Sequence, residues 1–282
     1  MYLKKTLEMI GLAILICFSF FLTEKTNSIM KDNDDLMTTV KEKSLTLNVD
    51  SKDAIVNGDT IIPGIGGKEI DLNKSYNAMK KVGFYNPSLL VYNELVPSIS
   101  VNKQYDKYIV GGNPDKKEIT FIFKIQDKDN VEDVINILEH YNLSTNLFID
   151  GNWLEENINK LEVISSNNVI GSLGYNGSYK KSDNYWLEST IKKKSHQSNY
   201  YCYTEKKDDD TLKECSKNNN YTIIPKTVIS TNLLLNIKKS LENGIIIAID
   251  INNNTVLELP NAIEYVKSKG LKIVNLDVLL KE

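Results

Sequence analysis

The sequence predicts an α/β protein: a (β/α) barrel of about seven strands, preceded by a small α+β module and an N-terminal hydrophobic helix. Three observations predict it. From residue 116 onward, short β-branched and aromatic runs alternate with segments whose apolar residues recur at helical spacing. No Gly-rich phosphate turn follows the first of these strands, as the doubly wound alternative would more usually show. Upstream lies one unbroken apolar run, Met9 to Leu22.

Lys4 and Lys5 precede that run and Thr23-Glu24-Lys25 follows it, which is the anatomy of an export signal or a short anchor. Fourteen helical residues span roughly 21 Å, short of the roughly 30 Å hydrocarbon core unless Leu7 and the flanks are recruited. That length suits a signal peptide. Against cleavage, Phe20-Phe21-Leu22-Thr23 offers no pair of small residues, and Cys17 follows Ile16 rather than the small residue of a lipoprotein site. The reading is an uncleaved single-pass anchor over residues 1–23, entering the cell membrane through residues 7–23 and leaving the bulk of the chain extracytoplasmic. Secretion after cleavage is the alternative.

Residues 24–50 are polar, lack Gly-Pro punctuation and hold no sustained period, so they read as a stalk or equally as a helix continuing from the anchor. Residues 51–115 read as a small α+β module, or as an extension packed on the next domain: AIVNGDTIIPGIGG is strand-like and broken by turn dipeptides, DLNKSYNAMKKVG is a short helix ended by Gly83, and LLVYNELVPSISV is extended. Residues 116–282 carry the barrel. Its strands are read at 118–124, 145–150, 168–174, 200–205, 221–229, 244–251 and 272–276. Between them Val131, Val134, Ile135 and Leu138 share a helical face, as do Leu154, Ile158 and Leu161, and Leu234, Ile237 and Leu241.

Composition narrows the chemistry. A net charge of -3 supplies no basic field for phosphates, which removes nucleic acid as a partner. The chain contains no Arg, so nothing that needs a planar guanidinium is available to it. Cys202 and Cys215 lie thirteen positions apart, close enough for a disulfide in an exported protein, with two structural thiols left equally open.

From about Lys117 onward the order of segments resembles the polysaccharide deacetylases of carbohydrate esterase family 4, also called the nodulation-protein-B homology domain. ITFIFK followed by VEDVINILEHYNLSTNLFIDGNWLEEN is similar to the family's first strand, first helix, second strand and Gly-x-Trp turn. NVIGSLGYNGSY resembles its metal-binding loop, and ELPNAIEYVKSKGLKIVNLDVLL its closing helix and strand. The resemblance implies a divalent metal such as zinc, held by an Asp and two His. It also implies an Asp base for the metal-bound water and a later His that protonates the leaving amine of an acetylated amino sugar.

This chain departs from that pattern at each of those positions. The Asp-Asp pair falls on Lys124 and Ile125, and the two His fall on Leu173 and Gly177. The Arg of the family's Arg-Pro-Pro-Tyr-Gly loop falls on Cys202, and the Leu-His-Asp of the late strand is replaced by a segment ending in Asp250-Ile251. The only two His are His140, at a helix end, and His196, in a polar loop. Asp127 and Asp129 past the first strand, with Asp250, are the remaining carboxylates for a replacement site, which would suit Ca²⁺ or Mg²⁺ rather than Zn²⁺. No catalytic residue, metal ligand or cofactor is therefore expected.

A groove kept without its chemistry holds glycan through aromatic faces and amides. Tyr175 and Asn176 in the former His loop, with Tyr201 and Tyr203 near the former Arg loop, are the candidates, core or rim packing being the competing reading. Trp153 and Trp186 read as structural. The functional expectation is a pseudoenzyme that binds cell-wall glycan or an envelope protein. An envelope scaffold docking through residues 51–115 and an active N-deacetylase with a rebuilt site are the alternatives.

Overall fold

The computed structural model describes residues 2–126 and 131–282. The chain forms two compact units, Met1–Ser51 with Gly67–Leu95, and Lys52–Gly66 with Val96–Glu282.

The chain opens with α1 (Tyr2–Asp32) and α2 (Asp35–Leu47), followed by the hairpin β1 (Ile55–Asn57) and β2 (Thr60–Ile62). Next come β3 (Gly67–Ile70), α3 (Leu72–Lys80), β4 (Tyr92–Leu95) and β5 (Tyr108–Ile109). In the first unit β3 and β4 pair antiparallel, and Val40, Ile70 and Met79 form a small core under Leu36, Leu72 and Tyr85. Asp34 caps α2 by accepting from the Leu36 N–H at 2.9 Å, and the Tyr76 hydroxyl and Lys80 ammonium of α3 also donate to it.

Residues 9–22 of α1 are exposed and apolar around the helix, Leu15 and Phe20 among them. Among the described residues, however, no helix is long and apolar enough to cross a membrane, so the transmembrane reading of residues 7–23 is not supported. The apolar stretch ends at Thr23 after about 21 Å, and the same helix runs on through charged and polar residues.

The second unit holds the barrel. Its elements are β6 (Glu118–Ile125), α4 (Val131–His140), β7 (Asn146–Ile149), α5 (Gly151–Asn157), α6 (Leu161–Ile164), β8 (Val169–Ser172) and α7 (Lys181–Ser195). There follow β9 (Tyr201–Tyr203), α8 (Asp209–Ser216), β10 (Tyr221–Ile223), β11 (Thr227–Ile229), α9 (Leu233–Ser240) and β12 (Ile246–Asp250). The chain closes with α10 (Asn253–Ser268), β13 (Lys272–Ile273) and α11 (Leu276–Leu279). The strands run β1-β2-β5-β10-β9-β8-β7-β6-β12-β11 in one curled sheet, parallel except for the β1/β2 hairpin, with β13 paired to the start of β6.

Two departures from the sequence reading have physical causes. The 51–115 segment is shared between the units, because β2 pairs with β5 and β5 with β10, which carries β1, β2 and β5 into the barrel sheet. The run 221–229 is two strands rather than one. Pro225 has no N–H to give a ladder, and around it the Ile224 N–H donates to Ile109 at 2.9 Å while the Lys226 N–H donates to Ile246 at 3.0 Å. The chain steps there from β10 to the far end of the sheet.

Period-two alternation sorts β6 between two cores. Ile119, Phe121, Phe123 and Ile125 point outward and pack under the helices with Val134, Leu154 and Ile263. Ile122 points into the lumen with Phe148, Leu173, Tyr203 and Ala248. Lys124 is two residues further along the inward row, at the carboxyl end of the strand.

Candidate functional site

In parallel α/β barrels the loops after the carboxyl ends of the strands form the binding face. Lys124 stands on that face with its side chain only 8% exposed. On one side its register partner on β12 is Asp250, and on the other its partner on β7 is Phe148. The ammonium lies 2.8 Å from Asp250 Oδ1 and 2.8 Å from Glu205 Oε1, Glu205 coming from the loop that follows β9. The ring of Tyr203 faces it at 5.7 Å and the Tyr203 hydroxyl donates to the same Glu205 oxygen at 3.3 Å. The Ser230 hydroxyl, just past β11, donates to the other oxygen of Asp250.

Stripping water from a lone ammonium costs several kcal/mol, so this cluster is stable only because each charge is met. Burial alone would pull the Lys124 pKa down. The hydrogen bonds and charges of Asp250 and Glu205 outweigh it and hold the ammonium above the ordinary lysine value, charged at any physiological pH.

A second set of contacts shapes the loop after β8. Asp150, 3% exposed, caps α5 by accepting from the Asn152 N–H at 2.9 Å, and its other oxygen accepts from the Asn176 N–H at 2.7 Å. Asn176 (φ 50°) and Gly177 (φ 80°) form the exposed tip of a tight turn closed by Tyr175 and Ser178. Tyr175 lies half-buried over Gly151, where an added Cβ would sit 2.6 Å from its ring, and its hydroxyl donates to Glu155 at 2.8 Å.

The remaining residues singled out from the sequence are dispersed. Ile125 is buried on the outer side of the sheet, Leu173 lines the lumen, and Gly177 sits in the turn just described. Cys202 is fully buried and forms a disulfide with Cys215 of α8, which settles the pairing left open by sequence. Tyr201 is 1% exposed; it stacks on Tyr221, and its hydroxyl donates to Asp277 of α11 at 2.6 Å, at the amino ends of the strands, away from Lys124. Of the four groove candidates, Tyr203 lies in the Lys124 cluster, Tyr175 and Asn176 lie in the adjoining loop, and Tyr201 lies apart from both. Trp153 is buried in the outer core and Trp186 packs against it. His140 and His196 are exposed, 56 residues apart in sequence, and His140 stands edge-on to Tyr141. Asp127 and Asp129 lie outside the described residues.

The described residues do not fit a divalent metal. Among the described residues no group of three or more His, Cys, Asp or Glu side chains is arranged to hold one. Glu205 and Asp250 are already drawn onto an ammonium, whose charge would repel a second cation at the same point.

Sequence reasoning missed Glu205, Asp150 and Gly151 as site residues. Asp150 had a readable signal, a carboxylate between a strand and a helix start. Glu205 had none, because its partner Lys124 is 81 positions away.

No protein-family model matches the chain. The uncharacterized protein YlxY of Bacillus subtilis (strain 168) is 29% identical over 117 residues, 41% of this chain; the alignment spans 37% of the length of that curated relative. Among solved structures, BA3943 of Bacillus anthracis, described as a carbohydrate esterase family 4 pseudoenzyme, superposes with a TM-score of 0.65 at 20% identity, over 89% of this chain and 96% of its own. The Bc1960 peptidoglycan N-acetylglucosamine deacetylase gives a TM-score of 0.54 at 17% identity, over 62% of this chain and 95% of its own. The chain has the fold of the carbohydrate esterase family 4 deacetylases.

Proposed function

We propose, for a chain that carries the carbohydrate esterase family 4 fold, that it holds cell-wall glycan outside the cytoplasm and does not deacetylate it. The observation that carries this reading is Lys124: an ammonium bound to Glu205 and Asp250 stands, with Ile125 beside it, where the family's chemistry needs an acidic pair to serve as base and metal ligand. Deacetylation needs a Lewis acid, a base for water and an acid for the leaving amine. Lys124 is cationic, the two carboxylates are committed to it, and both imidazoles are exposed elsewhere.

The glycan reading is supported by the polar groups that remain on the binding face. Half-buried Tyr175 offers aromatic surface, and Asn176, Ser230 and Asn252 offer amides and a hydroxyl in the loops that follow strand ends. It is supported also by the peptidoglycan named for Bc1960 and by the pseudoenzyme status of BA3943. Extracytoplasmic placement is supported by the Cys202–Cys215 disulfide, since such bonds persist in oxidising compartments.

The test pairs two measurements on the full chain. Incubation with acetylated chito-oligosaccharide plus Zn²⁺ or Co²⁺ should release no acetate, and co-sedimentation with peptidoglycan should retain the protein, less so for Tyr175→Ala. Acetate release would overturn the non-catalytic half of the reading. Failure of the intact protein to sediment would overturn the glycan half.

A further inference from the structure

Three strand ends converge on one positive charge. Lys124 comes from the end of β6, Asp250 from the end of β12, and Glu205 from the loop after β9, which lies on the far side of β7 and β8 in the sheet. Without a cation between them, Glu205 and Asp250 would face each other across the barrel mouth as uncompensated carboxylates. Each is fixed from behind as well. Ser230 holds Asp250, and the Tyr203 hydroxyl holds Glu205. The loop carrying Glu205 is pinned at its root, where the Tyr179 hydroxyl bonds the Tyr203 backbone and the disulfide joins Cys202 to α8.

We propose that the Lys124 ammonium is the resident cation of this barrel mouth: it gathers the carboxylates of two separated strand ends, as a bound metal would, and by occupying their negative charge it keeps divalent metals out. The cation is tethered covalently to the chain, and it holds the two carboxylates by ion pairs. An ammonium with three donors spends two on carboxylates and presents its remaining face to the Tyr203 ring, so Glu205 and Asp250 are compensated without any exchangeable ion. The geometry holds whether or not glycan is the ligand of the face above it.

The experiment uses the full chain, with thermal unfolding followed in EDTA, Co²⁺, Zn²⁺ and Mn²⁺ and Co²⁺ uptake followed by visible absorbance. The wild-type midpoint should be the same in all four solutions, and no one-to-one Co²⁺ spectrum should develop. Lys124→Met, which keeps most of the aliphatic stem and removes the charge, should melt about 5 °C or more below wild type, whereas Lys124→Arg should stay closer to it. Lys124→Asp places three carboxylates at one point, so its midpoint should be low in EDTA and recover in Mn²⁺. Saturable one-to-one Co²⁺ uptake by the wild type with a raised midpoint would overturn the proposal. So would a Lys124→Met midpoint within about 1 °C of wild type, or a folded Lys124→Asp that takes no cation. If Lys124→Asp does not fold in any metal, the wild-type titration and Lys124→Met decide the matter alone.

Discussion

The hydroxyl of Tyr179 substitutes for the missing ladder between β8 and β9 by bonding the backbone of Tyr203. These strands share a single register pair, Ser172 with Cys202. The buried Tyr179 oxygen accepts from the Tyr203 N–H at 2.8 Å and reaches the carbonyls of Ser172 at 2.5 Å and Tyr203 at 3.2 Å. Tyr203 is thereby set to face Lys124.

Removing that hydroxyl leaves a buried N–H without a partner. Tyr179→Phe should cost about 1–3 kcal/mol in urea unfolding, the penalty of an unsatisfied buried donor. A midpoint equal to wild type would mean that β8 and β9 close up by another route.

The disulfide makes a separate stability prediction. Cross-linking Cys202 to Cys215 closes a loop of about 15 residues, for which chain entropy gives roughly 3 kcal/mol. Cys202→Ala with Cys215→Ala should lose an amount of that order. In the denatured, unreduced wild type, alkylation followed by mass measurement should find one free thiol, that of Cys17. Three alkylated thiols would refute the pairing.

Much of this architecture was legible, for reasons that can be traced to residues. The two rows of EITFIFKI follow from period two, which puts Lys124 in the same row as Thr120 and Ile122, and the structure shows that this row faces the lumen. Contacts between distant segments were not legible. Nothing local in TEKK marks Glu205 as the partner of a lysine three strands earlier, and nothing in 51–66 or 96–115 announces that short runs such as Thr60–Ile62 will extend the barrel sheet. Tyr201 and Tyr203 share a strand face by alternation, yet only the strand direction tells that one hydroxyl meets Asp277 and the other Glu205.

Alkaline pH should weaken the fold. Burial pushes the phenols of Tyr200 and Tyr201 well above the ordinary tyrosine value, and the paired carboxylates hold Lys124 above the ordinary lysine value against the cost of burial. For all three the folded state keeps its proton more tightly than the unfolded state. Their contribution is therefore fully present below the unfolded values, about 10 to 10.4, and is lost as pH rises toward the folded ones. The urea midpoint should be level between pH 7 and about 9.5 and decline steadily above about pH 10. A midpoint that rises over that upper range would contradict the assigned directions.

Gly151 tests whether Tyr175 belongs to the binding face. It is the first residue of α5, where alanine is the better helix former by up to about 1 kcal/mol, so Gly151→Ala should not weaken the helix itself. The added methyl would nevertheless lie 2.6 Å from the Tyr175 ring, which must swing off the helix and release its bond to Glu155. Gly151→Ala should therefore lower peptidoglycan retention as far as Tyr175→Ala does, with a near-wild-type unfolding midpoint, and the double variant should fall no further, because both substitutions remove the same surface. Retention that survives Gly151→Ala but not Tyr175→Ala would show that the ring binds from a position other than the one it takes over α5.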